Sequence, residues 1–125
     1  MKTIVSSPNA PAPIGAYSQG NAWNGLIFTS GQLPVDPSGA LIRDDIVKAT
    51  RAALDNVIAV VEAGGGSKDS ILKITVFLRD LENFADVNAV FAGIFPKNAP
   101  ARSAFQVARL PKDADIEIEA VAAKA

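Results

Sequence analysis

The sequence predicts an α+β protein in which two helices pack on one face of a mixed sheet. Runs of β-branched and alternating apolar residues lie before, between and after two amphipathic segments of helical length. The predicted order is strand, hairpin, helix, strand, helix, strand, strand, which is typical of a sheet covered on one side. A length of 125 residues is that of one domain, so residues 1–125 are expected to form a single domain.

A hairpin is the clearest element near the start of the chain. The runs Tyr17–Trp23 and Leu26–Gln32 are separated by Asn24-Gly25. Asn-Gly between β-prone runs is a strong hairpin signal, because both turn positions need a positive φ. The three prolines of residues 8–13 predict an extended arm before the hairpin. Residues 33–43, also rich in proline and glycine, predict a loop after it.

Two helices are predicted from apolar periodicity. The first begins after Asp44 or Asp45 and runs to about Ala63, with Gly64 expected to end it in the left-handed conformation. Because Gly64 and its two following glycines end a helix instead of opening one, they do not predict a phosphate-binding loop. The second helix spans roughly Leu81–Phe95. The predicted buried stripes are Ile46, Ala53, Leu54, Val57, Val60 and Val61, and then Leu81, Phe84, Val87, Asn88, Phe91 and Phe95.

Three strands complete the predicted sheet: Ile71–Leu78, Ala101–Ala108 and Asp115–Ala122, the last two joined by a turn at residues 110–113. In the first of these, one buried face is predicted for Leu72, Ile74, Val76 and Leu78. In the last, the isoleucines are expected to face the helices, with Glu117 and Glu119 on the opposite, open face. A sheet face that carries apolar and ionisable residues together indicates a subunit interface that contains a site.

Composition excludes several kinds of chemistry. The chain has no histidine and no cysteine, which removes Ser-His-Asp triads, thiolate nucleophiles and the usual zinc sites. A net charge of −1 without a run of lysines or arginines disfavours a dedicated nucleic-acid binder. No apolar stretch approaches the roughly 20 residues that span a bilayer. Residues 1–6 lack the features of a secretion signal, so a cytoplasmic protein is expected.

Arg102 is the leading candidate for substrate binding. It shares one strand face with Ala104 and Gln106, while Ser103 and Phe105 share the other, which is expected to be core. If the last two strands pair as a hairpin, Arg102 and Glu117 lie on the same open face. A guanidinium there would bind a carboxylate through two parallel hydrogen bonds, and a glutamate would orient a water molecule. The two side chains would equally well pair with each other in a salt bridge.

Three polar residues, Glu117, Glu119 and Asn88, keep alternatives open. Glu117 and Glu119 lie two apart on one strand face, so residue type alone does not decide which of them acts. Asn88 is the only strongly polar residue on the stripe of the second helix. A structural hydrogen bond to a neighbouring loop is the simpler role for its amide.

Several motifs occur in order along almost the whole chain: Ile14-Gly15-Ala16-Tyr17-Ser18-Gln19, Phe28-Thr29-Ser30-Gly31-Gln32-Leu33-Pro34-Val35, Leu54-Asp55-Asn56-Val57, Thr75-Val76-Phe77-Leu78 with Asp80-Leu81, Phe84-Ala85-Asp86-Val87-Asn88, Pro100-Ala101-Arg102-Ser103, Val107-Ala108-Arg109-Leu110-Pro111-Lys112-Asp113 and Ile116-Glu117-Ile118-Glu119-Ala120. In sequence and in spacing they resemble the motifs of the RidA/YjgF/UK114 family of enamine/imine deaminases. Ala104 departs from the family pattern, where cysteine or threonine is common. Ala16 departs as well, since a proline usually precedes the tyrosine.

The resemblance implies a chorismate-mutase-like fold with a six-stranded sheet, a homotrimer, and clefts at the subunit interfaces. It implies hydrolysis of 2-aminoacrylate and related 2-imino acids to 2-keto acids and ammonia, a role in metabolite damage control, with no metal or organic cofactor. In the family pattern, Arg102 holds the substrate carboxylate and Glu117 positions or activates water. The pocket is shaped by Tyr17, Ser30, Gly31 and Asn88, with a backbone hydrogen bond from Ala104.

Two other functions are weighed against deamination. The same clefts would serve a non-catalytic trimer that binds small acids for regulation, because binding and catalysis share Arg102. An RNA-cleaving or translation-inhibiting role, attached to some members of the family, is disfavoured by the weak acidity and the absence of histidine.

Overall fold

The computed structural model describes residues 1–125, which form one mixed sheet with two α-helices against one of its faces. The strands are β1 (Thr3–Val5), β2 (Gly20–Trp23), β3 (Leu26–Thr29), β4 (Ile71–Leu78), β5 (Ala101–Gln106) and β6 (Ile116–Ala123). The helices are α1 (Ile46–Ala63) and α2 (Phe84–Ile94). The strand order is β1-β2-β3-β6-β4-β5, and only β4 and β5 are parallel. The predicted α+β class and layer arrangement are confirmed.

The core lies between the sheet and the helices. It is one cluster of 22 buried residues, which includes Ile74, Val76 and Leu78 of β4 and Ile116 and Ile118 of β6, all fully buried. No helix of this chain covers the opposite sheet face, as the sequence predicts. Neither helix has the length and apolarity needed to cross a membrane.

The hairpin forms where it is predicted. Asn24 and Gly25 have φ angles of 52° and 80°, and Trp23 pairs with Leu26 across the turn. The paired strands are shorter than expected. The residues before β2 are held by hydrogen bonds of the Gln19 side chain and not by backbone pairing with a neighbouring strand. Gln19 is buried, and its amide bonds the backbone of Ser7, Ala10 and Pro11 in the N-terminal arm.

The start of α1 is as predicted and its end is not. Asp45 is the N-cap, where its Oδ1 accepts a hydrogen bond of 3.1 Å from the backbone N–H of Lys48. Gly64 has a right-handed φ of −82°, and the left-handed residue is Gly65, with a φ of +95°. The N–H groups of Gly65 and Gly66 bond the carbonyls of Glu62 and Val61, which is a Schellman motif displaced by one residue from the expected end.

Two other boundaries differ from the prediction. A bulge at the start of β4 turns Ile71 inward and leaves Leu72 half exposed, so Leu72 does not share the buried face of Ile74. The segment before α2 is a separate 3₁₀ turn, Leu81–Asn83. The Asp80 carboxylate caps this turn by accepting from the N–H of Glu82, and Leu81 is exposed instead of core.

The last two strands do not pair as a hairpin, so the condition considered for Arg102 and Glu117 is not met. Both β5 and β6 pair with β4, on its two sides, so β4 lies between them. The chain leaves β4, passes through α2 and returns as β5 parallel to β4, a crossover that requires a helix-length connection. It then reaches β6 through a 3₁₀ turn at Pro111–Asp113, on the far side of β4.

Candidate active site

Arg102 and Glu117 lie on opposite faces of the sheet. Arg102 pairs with Ile74 of β4, whose side chain is buried under the helices. Glu117 pairs with Phe77, and Phe77 pairs with Phe105 on its other side. Because directly paired residues share a face, Arg102 is on the helix side and Glu117 is on the open side. The two would share the open face only if β5 paired with β6, and β4 lies between those strands.

The assignment of the two faces of β5 is also reversed. Ala104 is half-buried and packs against the core, whereas Ser103 and Phe105 are exposed on the open face. The Phe105 ring meets Phe77 edge to face, at 5.2 Å between centroids. Since β5 is an edge strand, half of its backbone groups have no neighbouring strand. The backbone hydrogen bond expected from Ala104 stays a prediction.

Four of the predicted site residues meet on the Glu117 side. Tyr17, Ser30, Gly31 and Glu117 line one cleft of about 530 Å³. We call it the Glu117 cleft; its other lining residues are Ile14, Leu33, Pro111 and Lys112.

A bulge brings Ser30 and Gly31 beside β6. The chain after β3 continues along β6, with Phe28 opposite Val121 and Gln32 opposite Ile118, so it contains one residue more than β6 does over this stretch. The Thr29 hydroxyl takes the place of a ladder carbonyl and accepts from the N–H of Ala120 at 3.0 Å. Bulges commonly re-aim side chains at functional sites.

Gly31 allows the carboxyl group of Glu117 to lie against the backbone. A Cβ at this position would lie 2.7 Å from Cδ of Glu117 and 2.8 Å from its Oε1. Ser30 is fixed by its hydroxyl, which donates to the carbonyl of Ser18 at 2.5 Å. The Tyr17 side chain is 52% exposed, and its hydroxyl accepts from the N–H of Ile14 at 3.3 Å.

The carboxyl group of Glu117 has neither an ion-pair partner nor a hydrogen-bond donor within the chain. It takes no part in the three ion pairs or in any side-chain hydrogen bond. Partial burial, and secondarily the negative charge of Glu119, raise the pKa of Glu117 above its ordinary value. A carboxylate that is held without a cation and has a raised pKa is suited to accept a proton from water.

Arg102 lies in a second cleft, of about 350 Å³, between α2 and the start of β5. We call it the Arg102 cleft; it is lined by Asn88, Phe91, Ala92, Phe95, Ala99, Pro100 and Arg102. The guanidinium carbon lies 5.1 Å from the ring centroid of Phe84 and 5.0 Å from that of Phe91. Its Nη2 donates to Oδ1 of Asn88 at 3.0 Å.

Arg102 is therefore held in place without being neutralised. Two aromatic rings and a neutral amide contact it, and none of the ion pairs of the chain involves it. Most donors of its planar fork stay available for an incoming carboxylate. The salt bridge with Glu117 that residue type left open does not form within the chain.

Asn88 differs from its expected structural role. It is exposed, and its amide oxygen accepts from Arg102 instead of bonding a neighbouring loop. In α2 the buried side of the helix is formed by residues that include Val87 and Val90, so Asn88 lies at the edge of the core. Sequence reasoning assigned Phe84 and Phe91 to the core and missed their contact with Arg102. Lys112 also lines the Glu117 cleft, and its residue type alone gave no signal for this position.

Comparison with known proteins agrees with this fold and identifies the family. The family model described as Endoribonuclease L-PSP matches residues 7–124. A 2-iminobutanoate/2-iminopropanoate deaminase of Salmonella typhimurium is 47% identical over 127 residues, with 99% of each chain covered.

Two solved structures from Escherichia coli show the same fold. That of the YjgF gene product superposes with a TM-score of 0.93 at 46% identity, over 98% of this chain and 99% of that one. That of TdcF with bound serine superposes with a TM-score of 0.92 at 44% identity, with the same coverage. The chain belongs to the endoribonuclease L-PSP family, which is the RidA/YjgF family that its motifs resemble.

Proposed function

We propose that this protein hydrolyses 2-aminoacrylate and related 2-imino acids to 2-keto acids and ammonia, acting as a single cytoplasmic domain in metabolite damage control. The observation that supports the proposal is that the Arg102 cleft and the Glu117 cleft are complementary. We call each of them a half-site. An arginine is held without a carboxylate partner on one sheet face, and a glutamate is held without a cation on the other. The names of relatives such as the Salmonella deaminase support the same reaction.

The complete site is formed between chains. One chain keeps Arg102 and Glu117 on opposite faces, so a substrate that touches both must lie between two copies. The open face exposes Trp23, Phe28 and Phe105, which is the kind of apolar surface that a partner covers. In a cyclic homotrimer each chain presents its Arg102 cleft to one neighbour and its Glu117 cleft to the other, which gives three equivalent sites.

Binding depends on the substrate carboxylate. Arg102 donates two parallel hydrogen bonds to it, while Asn88, Phe84 and Phe91 keep the guanidinium in one orientation. This contact fixes the imine carbon with respect to the neighbouring chain's Glu117, and such orientation is a large part of the catalysis of a simple hydrolysis.

The chemistry is the addition of water to a C=N bond. 2-Aminoacrylate acquires this bond when a proton moves from its nitrogen to its terminal carbon, which gives 2-iminopropanoate. Glu117 takes a proton from water as the oxygen bonds the imine carbon and passes it to the nitrogen, which gives a tetrahedral carbinolamine. The hydroxyl proton is then transferred to the nitrogen, the C–N bond breaks, a carbonyl forms and ammonia leaves. Because the imine carbon is already electrophilic, the proposed steps use no metal or organic cofactor.

The test is to follow pyruvate formation from 2-aminoacrylate that is generated in the same cuvette. A deaminase accelerates pyruvate release above the spontaneous rate, and Arg102→Ala returns it to that rate. The alternative, a trimer that binds small acids for regulation, predicts binding of pyruvate without acceleration. Acceleration that persists in Arg102→Ala would contradict the proposed site.

RNA cleavage, which the description of the family names, is less well supported. The chain carries 12 basic and 13 acidic residues and no histidine, so it has neither a net positive charge nor the commonest general base. Incubation with single-stranded RNA tests this directly: we expect no cleavage and no salt-sensitive binding.

A further inference from the structure

A groove separate from both half-sites follows the N-terminal half of α1. It consists of two adjoining cavities of about 530 and 300 Å³, both lined by Asn9, Val35, Asp36, Pro37 and Asn56. We call it the α1 groove. It lies between the N-terminal arm, the loop after β3 and α1, and shares only Lys112 with the Glu117 cleft. Asp55 and Asn56, for which the reaction has no use, line it, while their neighbours Leu54 and Val57 are buried in the core.

Asn56 places an unused acceptor in this groove. The residue is 7% exposed, and both hydrogens of its amide are used, in bonds of 3.1 Å to the carbonyl of Leu33 and 2.9 Å to that of Val35. Its Oδ1 accepts no hydrogen bond. The only fully buried side-chain polar atom without a partner is Oδ1 of Asn21, so Oδ1 of Asn56 is reached from the groove that its residue lines. A buried amide held this firmly is a pre-oriented acceptor for a donor that enters the groove.

Charges of both signs stand beside this acceptor without neutralising each other. Lys48, Arg51 and Asp55 line the smaller cavity. Lys48 pairs with Asp45 at 4.0 Å, whereas neither Arg51 nor Asp55 is part of an ion pair. Desolvation raises the pKa of Asp55 and the positive charge of Arg51 opposes that rise, so the two charges are near each other without direct contact. Asp36 adds a second carboxylate, whose pKa is lowered, chiefly by the hydrogen bond from Ser38.

We propose that the α1 groove binds a free α-amino acid with a small apolar side chain. Its ammonium group meets the acceptors, Oδ1 of Asn56 and the carboxylate of Asp55, and its carboxylate meets the guanidinium of Arg51. The side chain meets the apolar wall of Val35, Pro37, Ile42 and Ala52. A cavity of about 300 Å³ is at the small end of ligand pockets, which suits a single amino acid better than a peptide.

The test uses L-valine as the probe, with valinamide and 3-methylbutanoate as analogues that lack the carboxylate or the ammonium. Calorimetric titration is run on the wild type, on Arg102→Ala, which removes the carboxylate clamp of the reaction cleft, and on Arg51→Gln. Lys124→Gln removes one positive charge beyond the far end of α1 and is the matched control. Because Arg51 is an exposed residue on α1, its substitution leaves the fold intact.

We expect L-valine to bind the wild type, Arg102→Ala and Lys124→Gln with equal affinity. Arg51→Gln, and each analogue on the wild type, should bind at least about tenfold more weakly, the loss of one charge-assisted hydrogen bond. Binding that vanishes in Arg102→Ala and survives in Arg51→Gln would place the ligand in the reaction cleft and overturn the proposal. Binding of either analogue to the wild type as tightly as L-valine, or no binding of L-valine at millimolar concentration, would overturn it as well. None of these outcomes depends on whether the protein is a deaminase.

Discussion

The carboxyl group of Glu117 occupies the space that a side chain at Gly31 would need. An added Cβ would stand 2.7 Å from Cδ of Glu117, well inside van der Waals contact. The bulge before Gln32 creates this approach, so the position of the proposed base depends on a residue that has no side chain of its own.

Gly31→Ala is therefore expected to inactivate the protein without unfolding it. The flexible Glu117 side chain would rotate away from the new methyl group, and kcat/KM should fall by about 100-fold or more, the usual contribution of a positioned base. Activity and thermal unfolding are measured together. Gly93→Ala, in α2 with no atom within 4 Å of the added Cβ, is the matched control and should keep full activity. A Gly31→Ala protein with normal kcat/KM would show that the position of Glu117 is unimportant.

Glu117 also predicts a pH dependence. Its pKa is raised by partial burial and by Glu119, so activity should fall on the acid side at a higher pH than an ordinary glutamate would give. Glu119→Gln removes the charge that contributes to this rise. The acid limb of the kcat/KM profile should then move to lower pH with the maximum rate kept. An unmoved limb, or one that moves upward, would mean that another group controls the profile.

The same raised pKa has a consequence for stability. A carboxyl group whose folded pKa exceeds its unfolded value favours the folded state when protonated, and this stability is lost as pH rises through the folded pKa. Above this pKa the wild type therefore holds a partly buried, unpaired negative charge. Glu117→Gln should be inactive but more resistant to urea than the wild type at pH 7, with a smaller advantage at pH 4. A destabilised Glu117→Gln at pH 7 would indicate that the charge has a partner.

The side chain at position 88 should determine how strongly Arg102 binds the substrate carboxylate. Asn88→Asp places a carboxylate where Oδ1 now lies, 3.0 Å from Nη2 of Arg102, and this group would compete with the substrate carboxylate. Asn88→Ala only removes one hydrogen bond. We expect KM to rise by about tenfold in Asn88→Ala, the worth of a hydrogen bond to a charged group, and by more in Asn88→Asp. Steady-state kinetics on both variants decide this, and the reverse order would contradict a carboxylate-binding role for Arg102.

Asp45 should matter for stability alone. Its side chain caps α1, and such caps contribute about 1 kcal/mol to the free energy of unfolding. Asp45→Ala should lose about this amount in urea denaturation at fixed protein concentration, with kcat/KM unchanged. The exposed Lys48–Asp45 pair, at 4.0 Å, adds little. Lys48→Gln, which keeps the cap, separates the two contributions and should have nearly wild-type stability.

Sequence periodicity predicted most of the fold because its elements carry local signals. The Asn24-Gly25 turn and the Asp45 cap each depend on a few neighbouring residues. The sheet order carries no such signal, since the position of β4 between β5 and β6 is decided by the crossover through α2. That order reverses the face assigned to Arg102. The resemblance of the motifs identified the candidate site residues. That these residues form two half-sites could be seen only once the sheet order showed which face each of them lies on.

We expect each reaction site to take Arg102 from one chain and Glu117 from another. Arg102→Ala and Glu117→Gln are each expected to be inactive alone. The two variants are unfolded together and refolded as a one-to-one mixture. In a randomly assembled cyclic trimer, a site is intact when its Arg102 comes from a Glu117→Gln chain and its Glu117 comes from an Arg102→Ala chain. This combination occurs at about one site in four. We therefore expect the mixture to recover about a quarter of the wild-type kcat, averaged over all sites. A refolded, trimeric mixture with no activity would contradict it, because a site within one chain cannot be restored by mixing.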